Sequence, residues 1–175
     1  LGTYIAAMAD DARLRPPAEG HWQNFGSVPG RYLSESDGIR RGMWTPSWFR
    51  RLVSGDGPEF SEAQLDAEAE GVELGSGGLV AVLDWLAPAE RPNLRGALLG
   101  FDGTHTRAHI HRAIFEAIAF TMHANVARLE ASRGVQAREL LATGGGSASR
   151  LAVRILADVF ELPVYRPENP DAAGV

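Results

Sequence analysis

Three consecutive glycines, Gly144, Gly145 and Gly146, are the residues whose type and spacing most directly suggest chemistry. They lie in the stretch ELLATGGGSASR at residues 139–150, after a short apolar run and before a helical pattern. Each glycine in a regular element costs roughly 0.5–1 kcal/mol relative to alanine, so three in a row require a reason. Either a ligand approaches the bare backbone, with N–H groups at the helix start donating to it, or the glycines only permit a tight turn with positive φ.

The triplet departs from the two most familiar phosphate-binding patterns. No Gly-Lys-Ser/Thr follows it, as it would in a P-loop, and Ser149 stands where the third glycine of GxGxxG would be. The loop therefore favours a contact other than the cradling of a pyrophosphate.

Three histidines form a second candidate, because His105, His109 and His111 are spaced as HxxxHxH. On a helix, His105 and His109 would share a face in the manner of zinc ligands. No acidic or cysteine partner stands at ligand spacing, so we expect solvated or capping histidines and no metal site. The chain contains no cysteine at all, which excludes disulfides and thiolate chemistry.

Other polar and aromatic residues have simpler interpretations. Arg112 and Glu116 are four residues apart, which is typical of an ion pair on a helix surface. Asp84 lies in the apolar run VLDWLA, where a hydrogen-bonded residue at a strand end is expected rather than a general base. The aromatic residues Trp44, Trp48 and Phe49 are predicted to lie in the core, and one of them could also border a ligand.

The overall composition narrows the class of protein. The chain has 175 residues, of which 45% are hydrophobic and 22% charged, as in an ordinary globular domain. A net charge of −5, with no basic run longer than two arginines, argues against a nucleic-acid partner or an anionic membrane partner. No apolar stretch approaches the length of a membrane span, and no signal peptide is visible, so we expect a cytoplasmic protein.

Strand and helix patterns alternate along the chain, which predicts an α/β layer architecture. Apolar runs predict strands at residues 1–8, 79–86, 96–101, 139–142 and 163–165, and glycine-rich aromatic segments predict hairpin strands within residues 20–44. A helix is predicted to begin near Thr45, as its candidate N-cap, with Pro46 at the first helical position. Further helices are predicted to cover residues 61–70, 106–131 and 147–160. The helix at 106–131 is apolar on most of its circumference, which indicates burial between layers.

Both ends of the chain suggest a piece of a longer polypeptide. Residues 1–8, LGTYIAAM, already have a strand pattern without an initiator methionine, and the chain closes on DAAGV directly after the turn-like PENP. We therefore expect a domain truncated at both ends.

The stretches RGALLGFDGTHTRAHIHRAIFEAIAF (95–120) and LLATGGGSASRLAVRILADVFELPVYRPE (140–168) together resemble the C-terminal domain of the FGGY carbohydrate kinases. In that family a G-x-apolar-x-G-apolar segment precedes, by a fixed gap, a polar residue, an apolar residue and a helix carrying Ala and Glu. The matching positions here are Gly96, Leu98, Gly100, Phe101, His109, Ile110, Ala113 and Glu116. The glycine triplet then falls on the family's adenosine loop, followed by its usual sequel, ADVFELPV.

The resemblance implies a fold and an activity. The fold would be that of the actin-like ATPases (ribonuclease H-like), a mixed sheet with flanking helices, with residues 1–175 as the C-terminal nucleotide-binding domain of a two-domain sugar kinase. The full-length protein would transfer the γ-phosphoryl group of ATP to a hydroxyl of a sugar or polyol, with a pentulose such as xylulose or ribulose favoured. Mg²⁺ would be bound largely through ATP and the missing domain, and a homodimer is left open.

The resemblance also assigns residues to the nucleotide site. Gly2 and Thr3 look like the Gly-Thr pair that faces the terminal phosphates of ATP. Gly42 followed by Trp48-Phe49-Arg50 is similar to the family's glycine-to-tryptophan helix start that helps wall the nucleotide, and Gly42 and Ser47 are assigned to the site on this basis. The glycine triplet would hold adenosine, with Ser149 where some members carry an asparagine toward the adenine or ribose. Glu90-Arg91-Pro92 resembles an abbreviated form of the family's GERTP loop.

Several family residues have no counterpart in these 175 residues. The general-base aspartate is expected upstream of Leu1, so no catalytic residue is assigned here and the chain alone is expected to be inactive. A degenerate, non-catalytic kinase-like module is the alternative interpretation. A different nucleotide or methyl-donor enzyme is disfavoured, because such sites usually follow the first strand of the domain, whereas this triplet comes late.

Overall fold

The computed structural model describes residues 1–16 and 20–168, in which strands and helices alternate. The strands are β1 (Met8–Asp11), β2 (His21–Phe25), β3 (Tyr32–Ser36), β4 (Val80–Val82), β5 (Ala97–Leu99), β6 (Leu140–Leu141) and β7 (Val164–Tyr165). The α-helices are α1 (Trp44–Ser54), α2 (Glu62–Glu70), α3 (Arg107–Arg133) and α4 (Arg150–Phe160), and short 3-10 turns cover Ser76–Gly78 and Gly145–Ala148. The predicted α/β alternation is confirmed. The end of the chain at 169–175, which was interpreted as truncated, lies outside the described residues.

The strands form three small sheets. An antiparallel sheet has the order β1-β3-β2, with both Met8 and Trp22 opposite Glu35. Strands β4 and β5 form an antiparallel pair with Ala81 opposite Leu98. Strands β6 and β7 are parallel, with Leu140 opposite Val164, and α4 supplies the crossover that a parallel pair requires.

Helix α3 lies at the centre of the molecule. It begins after Thr106, whose side chain takes part in a capping box with His109, and ends at Gly134, a left-handed residue with φ of 66°. Its apolar side chains meet those of α1, α4 and the segment before β1. The resulting core contains Ile5, Ile39, Phe49, Ile114, Ile118, Met122, Leu151 and Ile155, and the predicted burial of this helix is confirmed.

The first strand is displaced from its predicted position. The strand pattern covers residues 1–8, but regular pairing occurs only at Met8–Asp11, and before it a single bridge joins Ile5 to Ile39. The reason is that the carbonyl groups of Gly2 and Thr3 accept hydrogen bonds from Met43 and Gly42, which belong to a loop rather than to a strand.

The start of α1 also differs from the prediction, whereas that of α2 agrees with it. Helix α1 begins at Trp44, so Thr45 is not its N-cap; the Thr45 hydroxyl instead donates to the carbonyl of Arg41 at 2.6 Å. Pro46 still lies in the first turn, where its missing N–H removes no helical bond. Helix α2 is capped by Ser61 in a complete capping box with Gln64.

Strands β4 and β5 are shorter and less buried than predicted. Val80 and Leu99, which pair with each other, are both 56% exposed, so one face of this hairpin faces outward. Because β4 ends at Val82, Asp84 lies beyond the strand, half-buried, on the wall of a cavity of about 820 Å³.

The predicted surface pair of Arg112 and Glu116 is wrong, because both residues are buried. Arg112 is 6% and Glu116 7% exposed, and Arg112 Nε donates to Glu116 Oε1 at 2.7 Å. Glu116 also accepts from the amide of Gly75 and the hydroxyl of Ser76, at 3.1 and 2.8 Å. The 3-10 turn packs over this part of α3 and excludes solvent, and only this tertiary contact makes the pair internal.

The three histidines have three different environments. His109 Nδ1 accepts from the amide of Thr106 at 3.2 Å, as expected for a capping histidine. His105 Nε2 lies 3.0 Å from the carbonyl of Gly77. His111 is only 1% exposed, so the expectation of a solvated or capping residue is wrong for it.

No helix within residues 1–16 and 20–168 is both long and apolar enough to cross a membrane.

Candidate functional site

Backbone hydrogen bonds bring together three segments that the sequence separates widely. Thr3 O accepts from the amide of Gly42 at 2.7 Å, and Gly2 O accepts from that of Met43 at 3.0 Å. Leu1 O accepts from the amide of Gly146 at 2.9 Å, and the backbone nitrogen of Leu1 donates to the carbonyl of Thr143. The Gly-Thr segment therefore lies between the start of α1 and the glycine triplet, and we call this set (residues 1–3, 42–43 and 144–146) the three-loop junction.

Close packing explains why two positions of the triplet are glycine. Gly144 has φ of 81°, and a Cβ there would lie 3.0 Å from the carbonyl oxygen of Leu1. At Gly146, a Cβ would lie 2.7 Å from Met43 Cγ and 2.9 Å from Leu1 Cβ. Both glycines are needed for the close approach of the three segments, so the turn explanation holds for these two positions.

Gly145 is different because nothing in the described protein occupies the space that its side chain would fill. Apart from the adjacent residues, no atom of the described protein lies within 4 Å of its Cβ position, and the residue is exposed. Unlike Gly144 in the same turn, Gly145 does not have a φ in the left-handed region. Neither packing nor backbone geometry requires a glycine at this position. The open space beside its backbone would allow the ring of a ligand to lie against it.

The residues assigned to the wall of the site lie at the start of α1. Gly42 is buried, and a Cβ there would lie 2.3 Å from Ile5 Cδ1, so this glycine permits close packing of the first segment. Ser47 Oγ donates to the carbonyl of Met43 at 3.1 Å, one turn into the helix. Thr3 is exposed, whereas its carbonyl is held by Gly42. The backbone of this wall is therefore fixed, and the Thr3 side chain remains accessible.

Ser149 begins α4 and is joined to a network that the sequence did not suggest. Its Oγ accepts from the amide of Ala152 at 3.0 Å as an N-cap and donates to Asp66 Oδ2 at 2.7 Å. Asp66 Oδ1 lies 2.9 Å from His111 Nε2. These partners are 83 and 45 residues apart, so no local motif could have identified Asp66 or His111 as neighbours of the glycine loop.

Of the three aromatic residues in α1, one is buried in the core and two are only half-buried. Phe49 is 1% exposed and belongs to the core, as predicted. Trp44 and Trp48 are half-buried and stacked, with ring centroids 6.2 Å apart, and Arg41 lies 4.2 Å above the Trp44 ring. Both tryptophans therefore have a face that is not part of the interior.

Tyr4, which lies beside the junction, adds no charge to it near neutral pH. Burial raises the pKa of Tyr4, which directly follows Thr3, and the carboxylates of Glu35 and Asp37 raise it further. The phenol therefore stays protonated at pH 7. Hydrogen bonds lower the pKa of Asp11 and Glu68, but these carboxylates pair with arginines outside the junction.

The junction is an open surface rather than a closed pocket. A cleft of about 730 Å³ reaches it at Gly2, Thr143 and Gly144 and runs on along residues 6–9 and the end of α3. Among the residues that the structure describes, no three His, Asp or Glu side chains come together as metal ligands. The chain can thus offer a threonine hydroxyl, a serine hydroxyl and bare glycine surface to a ligand.

Comparisons with known proteins agree with these features. A sequence profile of the FGGY family of carbohydrate kinases, C-terminal domain, matches residues 1–175. The chain is 38% identical over 173 residues to the uncharacterized sugar kinase YgcE of Escherichia coli (strain K12), which covers 95% of this chain and 35% of that protein. It is 31% identical over 125 residues to a xylulose kinase of Bacillus subtilis (strain 168), covering 70% of this chain and 24% of that one.

Solved structures share the architecture. The crystal structure of a xylulose kinase from Rhodospirillum rubrum matches with a TM-score of 0.84 and 29% identity over 96% of this chain and 34% of that one. The predicted fold class is confirmed: the chain has the α/β actin-like ATPase fold, here with its strands in three small sheets. It spans about a quarter to a third of the length of these relatives.

Proposed function

Because this chain belongs to the FGGY family of carbohydrate kinases, as their C-terminal domain, we propose that it forms the ATP-binding half of an enzyme that phosphorylates a sugar or polyol. The γ-phosphoryl group of ATP would pass to a hydroxyl of the acceptor. The observation that carries the proposal is the three-loop junction, in which the Gly-Thr segment, the start of α1 and the glycine triplet are joined by backbone hydrogen bonds.

The chemistry of phosphoryl transfer explains why such a junction is useful. Catalysis of this reaction depends mostly on positioning and on neutralising charge, with little covalent work by the protein. At the junction, Gly145 offers a bare backbone beside which adenosine can lie. The accessible hydroxyl of Thr3 and the backbone of its loop would contact the outer phosphates. Closure of a second domain would exclude water, which competes with the sugar as acceptor.

The remaining parts of the site are assigned by the family resemblance. Mg²⁺ would accompany ATP and be held largely by its phosphates and by residues outside this chain. The base that takes the proton of the sugar hydroxyl would be an aspartate that also lies outside this chain. The protein would act in the cytoplasm.

We propose a pentulose, such as xylulose or ribulose, as the acceptor. Two of the similar proteins, from Bacillus subtilis and Rhodospirillum rubrum, are named xylulose kinases. The alternative of a degenerate, non-catalytic module receives no support from the junction, because Gly2, Thr3 and Gly145 are all retained and Gly145 has no structural need to be glycine.

Phosphoryl transfer by the full-length protein tests the proposal. The purified protein would be incubated with ATP, Mg²⁺ and a panel of pentuloses, hexoses, aldonates and glycerol, and sugar phosphate would be measured directly. We expect ATP-dependent product with at least one member, most rapidly with a pentulose. Nucleotide binding without any acceptor would favour the degenerate module, and rapid transfer to glycerol alone would reject the pentulose assignment.

A further inference from the structure

Met43 is the sulfur-bearing residue of the three-loop junction. The chain has three methionines and no cysteine, and the environments of the methionines differ. Met8 is 58% exposed in β1, and Met122 is 4% exposed in the core. Met43 is half-buried and packs against the core from the loop before α1. Of the three, only Met43 combines a partly accessible side chain with a place in the junction.

The side chain of Met43 fills the space beside Gly146. A Cβ built at Gly146 would lie 2.7 Å from Met43 Cγ and 2.8 Å from Met43 Sδ, whereas real Cβ atoms essentially never come closer than 3.0 Å to another heavy atom. On its other side, the same position would meet Leu1 Cβ at 2.9 Å. Gly146 is itself buried. There is therefore no room for one added atom between the Met43 thioether and the backbone of Gly146.

The backbone of Met43 is held on both sides by hydrogen bonds. Its amide donates to Gly2 O at 3.0 Å, and its carbonyl accepts from Ser47 Oγ at 3.1 Å. On the facing loop, the amide of Gly146 donates to Leu1 O at 2.9 Å. Because close-packed regions transmit strain rather than absorb it, a Met43 side chain that is pushed away from Gly146 must lengthen one of the bonds that join the three loops.

Oxidation of the thioether adds the one atom for which there is no room. Hydrogen peroxide transfers one oxygen to sulfur: an S–O bond forms, the O–O bond breaks, sulfur loses two electrons, and the second oxygen leaves as water. The sulfoxide is larger than the thioether and polar, and its oxygen costs free energy in an apolar contact where it has no hydrogen-bond donor. Methionine sulfoxide reductases remove the oxygen again, with a dithiol as the reductant.

We propose that Met43 is a site of reversible oxidation by peroxide, at which the sulfoxide separates Gly146 from the start of α1 and loosens the three-loop junction. The consequence for ligand binding rests on the proposed function, because the junction is the proposed nucleotide site. Oxidised protein would bind nucleotide more weakly, and reduction would restore the affinity. Met8 would also be oxidised, since it is exposed, but it belongs to β1 and not to the junction.

Two measurements on the same samples test the proposal, before and after the full-length protein is treated with dilute hydrogen peroxide. Peptide mass spectrometry locates the sulfoxides and follows amide hydrogen exchange, and equilibrium titration gives the affinity for ADP. We expect sulfoxide at Met43 and Met8, faster exchange of the amides of Met43 and Gly146, and an affinity lower by about tenfold. The amide of Gly26, bonded within the hairpin of β2 and β3, should exchange as before. A methionine sulfoxide reductase should reverse both changes.

The variants Met43→Leu and Met8→Leu separate the two accessible methionines, and each protein is compared with its own untreated sample. Leucine is close to methionine in volume but has no sulfur to oxidise. Treatment of Met43→Leu should leave its affinity for ADP unchanged, whatever else in the full-length protein is oxidised. Treatment of Met8→Leu should lower the affinity as it does in the wild-type protein.

The outcomes separate this inference from the function on which it rests. A Met43 that stays reduced while Met8 is fully oxidised would refute the modification site, and a Met43 sulfoxide with unchanged amide exchange would refute the loosening. A loss of affinity that persists in Met43→Leu would also contradict the inference. If untreated protein does not bind ADP, the proposed nucleotide site is wrong and amide exchange alone decides. If Met43→Leu fails to fold, the wild-type time course decides, because the loss of affinity must follow the Met43 sulfoxide and not that of Met8.

Discussion

The amide of Gly146 donates a hydrogen bond of 2.9 Å to the carbonyl oxygen of Leu1, and the Cβ of Leu1 fills the space that a side chain at Gly146 would need. The glycine triplet and the Gly-Thr segment are therefore parts of one surface, although 145 residues separate these two positions. A ligand that lies against one segment also reaches the other, as a nucleotide with an adenosine end and a phosphate end would.

Thr3 tests the phosphate end of this surface. Thr3→Val keeps the branched shape and the strand preference but removes the hydroxyl. If the hydroxyl donates to charge that develops on the transferred phosphoryl group, kcat of the full-length protein should fall by about 10²–10³-fold. The loss should be smaller if a backbone amide of the same loop donates to the same group. Nucleotide affinity should change less.

Steady-state kinetics and a thermal melt on the same preparation distinguish this role from a structural one. Because Thr3 is exposed, we expect a normal melt together with the loss in kcat. A normal melt with kcat within roughly threefold of wild type would remove the phosphate contact from the account.

The chain of residues 1–175 by itself should not phosphorylate any sugar. It supplies the three-loop junction that is proposed to bind the nucleotide, but the proposed general base and the residues proposed to accompany Mg²⁺ are expected outside it. Purified 1–175 would be assayed with ATP, Mg²⁺ and the same sugar panel as the full-length protein. Product formed by the shorter chain would show that the proposed division between two domains is incorrect.

The buried pair of Arg112 and Glu116 predicts a large loss of stability when one partner is removed. Arg112→Gln leaves the Glu116 carboxylate buried without its counter-ion, which typically costs about 3–5 kcal/mol in the free energy of unfolding. Arg154 and Asp158 have the same spacing on α4 but are 72% and 49% exposed. Arg154→Gln is thus the matched control, and it should change the stability by less than about 1 kcal/mol.

Denaturant unfolding of the two variants gives the comparison. Equal effects at both positions would mean that the Arg112 pair contributes no more than a surface pair. The 3-10 turn at Ser76–Gly78 should also exchange its amides faster in Arg112→Gln, because Glu116 holds Gly75 and Ser76.

Asp11 predicts a pH dependence of stability. The hydrogen bond from Arg15 lowers the pKa of this carboxyl below its usual range, with further contributions from Arg13 and Arg133. A lowered pKa in the folded state means that the stabilisation is fully present above the unfolded value near 3.9 and is lost as the pH falls through the folded value. Asp11→Asn should therefore destabilise the protein by about 1–3 kcal/mol at pH 7, since charged hydrogen bonds are lost.

Unfolding curves of wild type and Asp11→Asn at pH 7 and at successively lower pH measure this difference. It should shrink steadily below about pH 4, where the wild-type carboxyl becomes protonated. Asp56→Asn, at an exposed carboxyl in the loop after α1, is the control and should show little effect. A difference for Asp11→Asn that is independent of pH would contradict the ionic origin of the effect.

Local signals in the sequence predicted the elements and not their contacts. The period of apolar residues located α3 to within two residues at its C-terminal end, and the helix predicted over residues 61–70 agrees with α2, which Ser61 caps. These features depend on neighbours within one turn of the chain. The burial of Arg112, by contrast, depends on a turn about 40 residues away in the sequence.

The same limit applies to the candidate site. The glycine triplet was visible as a pattern, but its pattern could not show that Gly144 and Gly146 serve packing while Gly145 faces open space. That difference arises only where Leu1 and Met43 meet the loop. Asp66 could not be predicted at all, because it reaches Ser149 across 83 residues of sequence.

The central claim is that Gly145 leaves its space for a nucleotide, and the variant Gly145→Val tests it most directly. The Cβ of its side chain would enter open space, with no atom beyond the adjacent residues within 4 Å, so the melt should change little. Equilibrium titration of the full-length protein with an ATP analogue should show an affinity at least tenfold lower, about 1.4 kcal/mol. Gly57→Val, at an exposed loop glycine with ordinary surroundings, should bind as wild type does. An unchanged affinity in folded Gly145→Val would contradict the placement of the nucleotide at this loop.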